Sequence, residues 1–286
     1  MNSQRPFKQR FSFEFFPPKT PAGMEKLQTV RDELAKRDPD FFSVTYGAGG
    51  STQERTINTV INLHKQGIST APHLSCIGAT TETLTELLDL YKANDIQRIV
   101  ALRGDLPSGM GAHGELRYAN DLVEFIRKHS GDHFNIEVAA YPEFHPQAAY
   151  AEQDLINFKR KVDAGANSAI AQYFYNADGY FYFLEQCQKA GIDTPITPGI
   201  MPITNSSNLI RFADGTGAEI PRWIRKQLAT YGDDTPSITA FGHEVVVKFC
   251  ERLLAGGAPS LHFYTMNRGR STRTSIDTLK REKLIL

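Results

Sequence analysis

Cysteine is scarce in this chain. Cys76, Cys187 and Cys250 are its only three in 286 residues, widely spaced, in apolar surroundings and without a CxxC pair. That excludes a disulfide scaffold and the common zinc and thiol-redox motifs, and the three read as reduced core thiols. A charge excess is missing too: 32 Lys and Arg balance 32 Asp and Glu, so neither nucleic acid nor an anionic membrane surface is an expected partner. No run of eighteen apolar residues occurs, and the opening MNSQRPFKQR lacks an apolar signal core; no membrane span is expected and the chain reads as cytoplasmic. No GxGxxG follows a strand and no P-loop pattern occurs, while GAGGS at 47–51 is too generic to assign a phosphate. No apolar run ends in lysine, which argues against a Schiff-base aldolase. Glu143, His145 and His73 are metal-ligating types, but without HxH or HExxH spacing no metal is expected.

What is present is a repeating unit. Apolar or β-branched runs recur at FSFEFF, FFSVTYG, STAPHLSC, IQRIVALRG, FNIEVAAYP, SAIAQYFY, TPITPGIM and SLHFYTMN. Helical spacing lies between several of them, as in Leu84, Leu87, Leu88 and Tyr91, or Val246, Phe249, Cys250 and Leu253. HKQGISTAPH and QKAGIDTPIT repeat one signal: a basic last turn, a glycine, then a strand. Ser51 and Glu54 stand in capping-box spacing at the start of the second helix. At 41% hydrophobic the chain can build a large core. Eight β–α units with right-handed crossovers predict an α/β fold, a (β/α)8 TIM barrel; a doubly wound open sheet is the alternative that periodicity cannot separate from it. The expected organisation is one catalytic barrel domain over 1–286, with 1–10 as an N-terminal arm, no regulatory domain, and an extra helix at IPRWIRKQL between strands seven and eight.

In such a barrel the chemistry sits at the C-terminal strand ends. Those ends carry Glu14, Thr45 with Tyr46, His73, Arg103-Gly104-Asp105, Tyr141 to His145, Gln172, and Tyr264 with Arg268. Alternation along FSFEFF sends Phe11, Phe13 and Phe15 to one face and leaves Glu14 as the lone acid on the other, close to the stop that Pro17 and Pro18 impose. His73 taken alone suits a core histidine equally well, and Lys159, Arg160 and Lys161 suit a solvated helix face. GMGAHG at 109–114 reads as a lid or ligand edge.

FSFEFFPPKT, FFSVTYGAGGS, APHLSCIGAT, IVALRGDLP, VAAYPEFHPQA, LINFKRKVDAGANSAIAQYF, PGIMPI and HFYTMNR, in that order, resemble the methylenetetrahydrofolate reductases over essentially the whole chain. The length is similar to the short bacterial-type enzymes. The resemblance implies FAD as cofactor and NADH, or NADPH as in other members, as reductant, with 5,10-methylenetetrahydrofolate reduced to 5-methyltetrahydrofolate; NADH is preferred from the bacterial-type length, and if a single barrel mouth brings both substrates to one flavin face, ping-pong kinetics is expected. It implies that Glu14 is the general acid at folate N10, with its pKa raised by desolvation. Asp105 would stay ionised to stabilise the resulting iminium cation. Substrate and nicotinamide contacts would be Thr45, Gln172, Phe212 and Arg268; Asn208 stands where some relatives carry Gln, and its reach is one methylene shorter. Flavin contacts would be Tyr46, Ala48, His73, Arg103, Gly104, Asp105, Ala119, Tyr141, His145, Ala148, Asp154, Asn157, Arg160 and Lys161, with Ala166 supporting their helix without touching the cofactor. The bacterial members are tetramers, so a homotetramer is implied. A pterin-binding barrel without redox chemistry and a non-catalytic scaffold are the rival readings.

Overall fold

The computed structural model describes residue 4 and residues 10–46, 50–105, 114–282 and 284–285. Ala48 and the 109–113 loop lie outside the described residues. Among the described residues nine strands form: β1 (Arg10–Phe15), β2 (Phe42–Val44), β3 (Thr70–Ser75), β4 (Arg98–Leu102), β5 (Asn135–Ala140), β6 (Ser168–Ala171), β7 (Ile196–Thr197), β8 (Gly199–Ile200) and β9 (Ser260–Tyr264). The helices are α1 (Pro21–Ala35), α2 (Gly50–His64), α3 (Thr81–Ala93), α4 (Ala119–Ser130), α5 (Ala151–Asp163), α6 (Ala177–Lys189), α7 (Ser206–Thr216), α8 (Arg222–Tyr231), α9 (Thr235–Ala255) and α10 (Gly269–Arg281). The sheet order is β7-β6-β5-β4-β3-β2-β1-β9-β8, with parallel neighbours from β1 through β5 and between β8 and β9. Strands in chain order with helices between them are the (β/α)8 class that the eight-unit count predicts.

Two features differ from that count. The seventh apolar run is two strands, because Pro198 interrupts it: β7 stands beside β6 at one end of the order and β8 beside β9 at the other. A proline has no N–H for a ladder, so a register break falls there at little cost. The stretch after β8 holds α7 as well as the expected α8. Its caps are polar rather than apolar signals, with Asn205 Oδ1 accepting from the Asn208 amide at 2.8 Å and Gly217 closing the end. Helix α2 begins at Gly50, so Ser51 lies inside its first turn and is not the N-cap.

By contact density the chain divides into two compact units, Ser12–Ala139 with Phe158–Ala169, and Met1–Phe11 with Ala140–Asn157 and Ile170–Leu286. Within the first, Phe13 and Phe15 are buried on one face of β1, their rings 5.4 and 5.2 Å from Phe42 on β2. Ser12 and Glu14 on the opposite face are buried as well, as both faces of a parallel strand usually are.

The same unit holds a charged cluster near the start of β4. Val100 pairs in register with Glu137, and Arg98, two residues earlier, shares their face. Its guanidinium bonds the Glu137 carboxylate, reaches Asp40 Oδ2 at 3.3 Å and lies 4.5 Å over the Phe41 ring. Glu137 is 3% exposed. Removing one partner of a buried pair leaves an uncompensated charge. Arg98→Met is therefore expected to lower stability by about 3–5 kcal/mol and Tm by about 10 °C, and Arg98→Met with Glu137→Leu to recover most of the loss. Thermal melts check this; a single-variant loss near zero contradicts it.

Candidate active site at the strand ends

In the unit of Ser12–Ala139 with Phe158–Ala169, register builds the acid's surroundings. Glu14 is level with Ser43, and Ser43 with Ala71. Two residues beyond Ala71 on the same face of β3 stands His73. Its Nε2 lies 3.3 Å from Glu14 Oε2, and both residues are under a tenth exposed. The contact lacks hydrogen-bond geometry, leaving His73 Nε2 a buried nitrogen without a hydrogen-bond partner; Ser43 Oγ beside Glu14 is buried in the same condition. A core histidine is normally satisfied, so this one is not explained by packing alone.

Thr45 extends the pairing past β2, its amide donating to the Phe15 carbonyl at 2.9 Å and its carbonyl accepting from Thr56 Oγ1 at 2.8 Å. Tyr46 follows, half-buried, and burial holds its phenol above the usual range. Beyond β4, the Arg103 carbonyl accepts from Ser75 Oγ at 2.7 Å and from the Ile77 amide at 2.9 Å. Gly104 has φ of +90°, and a Cβ there would stand 2.0 Å from Ser75 Oγ. Asp105 is exposed, and Ala119 is the first residue of α4.

The charge run on α5 separates into different roles. Lys159 pairs with Asp163 at 2.7 Å on the outer face, as a solvated run would. Lys161 instead turns inward, with Nζ donating to the Ala139 carbonyl at 2.5 Å and lying 5.5 Å from the Phe158 ring centroid. Arg160 is exposed. Ala166 is buried, and its amide donates back to the Lys161 carbonyl at 3.3 Å, closing the end of that helix.

In the other unit, Tyr141 and His145 meet edge to face at 4.6 Å. His145 Nδ1 accepts from the Gln147 amide at 3.0 Å, its own amide donates to Asp154 Oδ2 at 3.0 Å, and its carbonyl accepts from Ala148 at 2.8 Å. Asn157 Oδ1 accepts from Gln153 at 3.3 Å. Gln172 bonds the Ala140 carbonyl through its amide at 2.8 Å, while its Oε1 accepts from the Tyr173 amide at 3.0 Å. Gln172, Tyr141, Glu143, Tyr173 and Thr216 line a recess of about 10 Å³, the size of one water. Burial raises the Glu143 carboxyl above the usual range and the charge of Glu219 adds to the rise, while the Glu219 amide, donating at 2.8 Å, opposes it. Phe212 and Asn208 lie on α7, where Asn208 Oδ1 accepts from Arg211 at 3.1 Å. Arg268 is exposed at the N-cap of α10. Phe144, at φ 51°, and Met266, at φ 53°, are bulky residues in the left-handed region, and both follow strand ends, where such strain commonly accompanies function.

Sequence reasoning passed over Tyr173 and Thr216, and placed Glu143 among the strand-end groups and weighed it as a metal ligand without giving it a role. Among the described residues no group of three His, Cys, Asp or Glu gathers to hold a metal ion.

Fold and strand-end chemistry together define an α/β-barrel enzyme. The family model of methylenetetrahydrofolate reductase matches residues 2–280, and the chain belongs to that family. It is 41% identical over 269 residues to the 5,10-methylenetetrahydrofolate reductase of Escherichia coli K12, covering 94% of this chain and 90% of that one. It is 38% identical over 275 residues to methylenetetrahydrofolate reductase (NADH) 1 of Arabidopsis thaliana, covering 91% of this chain and 46% of the plant protein. Among solved structures, an uncharacterized protein from Clostridium thermocellum, described as binding two copies of 5-methyl-5,6,7,8-tetrahydrofolic acid, has the same fold, with a TM-score of 0.68 at 19% identity over 98% of this chain and 96% of that one. No helix among the described residues is long and apolar enough to cross a membrane.

The residues present suit a flavin. In the unit of Ser12–Ala139 with Phe158–Ala169, His73 offers an unbonded buried ring nitrogen, Gly104 offers backbone with no side chain in the way, Tyr46 offers a half-buried ring, and Arg103, Arg160 and Lys161 offer cations for phosphate. Gly104 is the position where a minimal change tests this most simply. Gly104→Ala is expected to cost about 1–3 kcal/mol from backbone strain alone, before its clash with Ser75. Melts of the flavin-free chain together with flavin retention check this; an unaltered Tm contradicts it.

Proposed function

We propose that this chain reduces 5,10-methylenetetrahydrofolate to 5-methyltetrahydrofolate with NADH through bound FAD, using Glu14 as the general acid at folate N10. The observation that carries the proposal is the Glu14 carboxyl, about nine-tenths buried near the end of β1 and 3.3 Å from His73. A carboxyl group taken out of water favours the protonated form that an acid catalyst needs. FAD, when bound, supplies a two-electron carrier that lets the reductant and the folate react in turn. The nicotinamide choice is supported by the plant relative, a methylenetetrahydrofolate reductase (NADH).

The remaining roles are assigned by residue. Glu14 delivers a proton to N10, the five-membered ring opens, and positive charge appears on the N5 methylene as an iminium. Asp105, exposed, offsets that charge and orients the pterin. Thr45, Gln172, Phe212 and Arg268 hold folate or nicotinamide, and Asn208 helps where it reaches. Tyr46, Ala48, His73, Arg103, Gly104, Ala119, Tyr141, His145, Ala148, Asp154, Asn157, Arg160 and Lys161 hold the flavin. Lys161 is supported by its inward turn, which a purely solvated face does not require.

Two variants test the assignment. Glu14→Gln keeps size and burial but has no acidic proton; NADH is expected to bleach the flavin at a near wild-type rate while folate reduction falls by about 10²–10⁴-fold. Unimpaired folate turnover removes Glu14 from its role. Ala166→Val adds volume to a closed helix end at a strain of about 1–3 kcal/mol, so the variant is expected to release FAD on dilution sooner than wild type and to regain its Tm with excess FAD. Equal retention contradicts the supporting role.

A further inference from the structure

Helix α7 carries Asn208 and Phe212, and little of the helix itself is anchored: Leu209 and Ala213 are its buried residues. At eleven residues it is shorter than the about 12–15 that an isolated helix needs in water. Its placement therefore depends on ties made from outside. They gather at its C-terminal end.

The Thr216 hydroxyl donates to the carbonyl of Phe212 at 3.0 Å. A hydroxyl carries one hydrogen, so in the 2.8 Å contact between Tyr173 and Thr216 the phenol is the donor. Tyr173 is 4% exposed, with its ring edge-on to Tyr264 at 6.0 Å. Tyr264 in turn donates to the Ala171 carbonyl at 3.1 Å, so the donor is itself held against β6. One residue beyond Thr216, Gly217 ends the helix at φ 74°, where a Cβ would come 3.0 Å from Pro146. Two residues further, the Glu219 amide donates to Glu143 Oε2 at 2.8 Å. The segment after β5 and the second residue after β6 thus grip a single turn of chain.

We propose that Glu143, Tyr173 and Thr216 are positioning residues that set where Phe212 stands, acting through the last turn of α7 and the 217–219 turn. This rests on the reading above, in which Phe212 touches bound ligand. The path is short: Thr216 holds the Phe212 carbonyl directly, so a shift of Thr216 rotates the peptide plane that follows the aromatic residue. A merely structural set of bonds would stabilise the fold without any link to Phe212.

The test is steady-state kinetics of the FAD-loaded enzyme with Tyr173→Phe, Thr216→Val and Thr216→Ser, alone and combined with Phe212→Ala, together with amide hydrogen exchange over 212–219. Tyr173→Phe and Thr216→Val are each expected to raise KM for methylenetetrahydrofolate about fivefold, the loss of one net hydrogen bond, with kcat falling less than about twofold. Thr216→Ser keeps the wild-type KM, and in the Phe212→Ala background neither change adds a further rise. Exchange over 212–219 accelerates in both weakened variants. An unchanged KM, or the same rise with Phe212 already removed, overturns the proposal. A wild-type chain that turns over no methylenetetrahydrofolate at all refutes the reading beneath it instead; exchange then decides the latch alone, and unchanged protection in Tyr173→Phe overturns it.

Discussion

A carboxyl group held out of water at the end of a parallel strand is the constraint around which the rest is arranged. Glu14 reaches that place because β1 is buried on both faces: Phe13 and Phe15 pack against Phe42 on one face, and strand alternation turns Glu14 to the other. Proline at 17 and 18 then stops the strand within two residues of Phe15, so the acid cannot slide deeper. His73 arrives from the third strand on the same face, its Nε2 3.3 Å from the carboxyl but without a hydrogen bond to it. Buried polar groups without partners are costly in a scaffold. Their presence here is consistent with a site whose partners come with its ligands.

Beside Glu14, His73 Nε2 and Ser43 Oγ are buried without a hydrogen-bond partner, whereas the polar groups near the start of β4 are paired. Arg98 satisfies both Glu137 and Asp40 and stacks on Phe41. At the other end stand Gly104 at +90°, and Phe144 and Met266 in conformations unusual for bulky side chains. Barrels commonly divide labour in this way, with stability at one end of the strands and chemistry at the other.

Much of this was legible in the residues. Eight apolar runs with helical spacing between them predict the barrel class, and the alternation in FSFEFF places Glu14 opposite the phenylalanines. The split of the seventh run was marked by Pro198, a visible signal that a run-by-run count absorbs into one strand. Helix α7 escaped because its stripe is thin, with only Leu209 and Ala213 buried, and its evidence lies in Asn205 and Gly217 at its ends. Lys161 reads as a solvated charge by pattern alone, and only its resemblance to a flavin-binding helix pointed inward. The grip of Tyr173 on Thr216 joins residues 43 apart in sequence, a tertiary contact that no local spacing announces.

Family membership establishes the reductase; the proton at Glu14 is the physical claim within it. The most direct measurement is the rate at which methylenetetrahydrofolate restores the colour of photoreduced, FAD-loaded wild-type protein under anaerobic conditions, followed as pH is raised. An acid that must hold its proton predicts a rate that falls as that group ionises, with the extent of colour return unchanged. A rate that stays flat or climbs with pH contradicts proton delivery from Glu14.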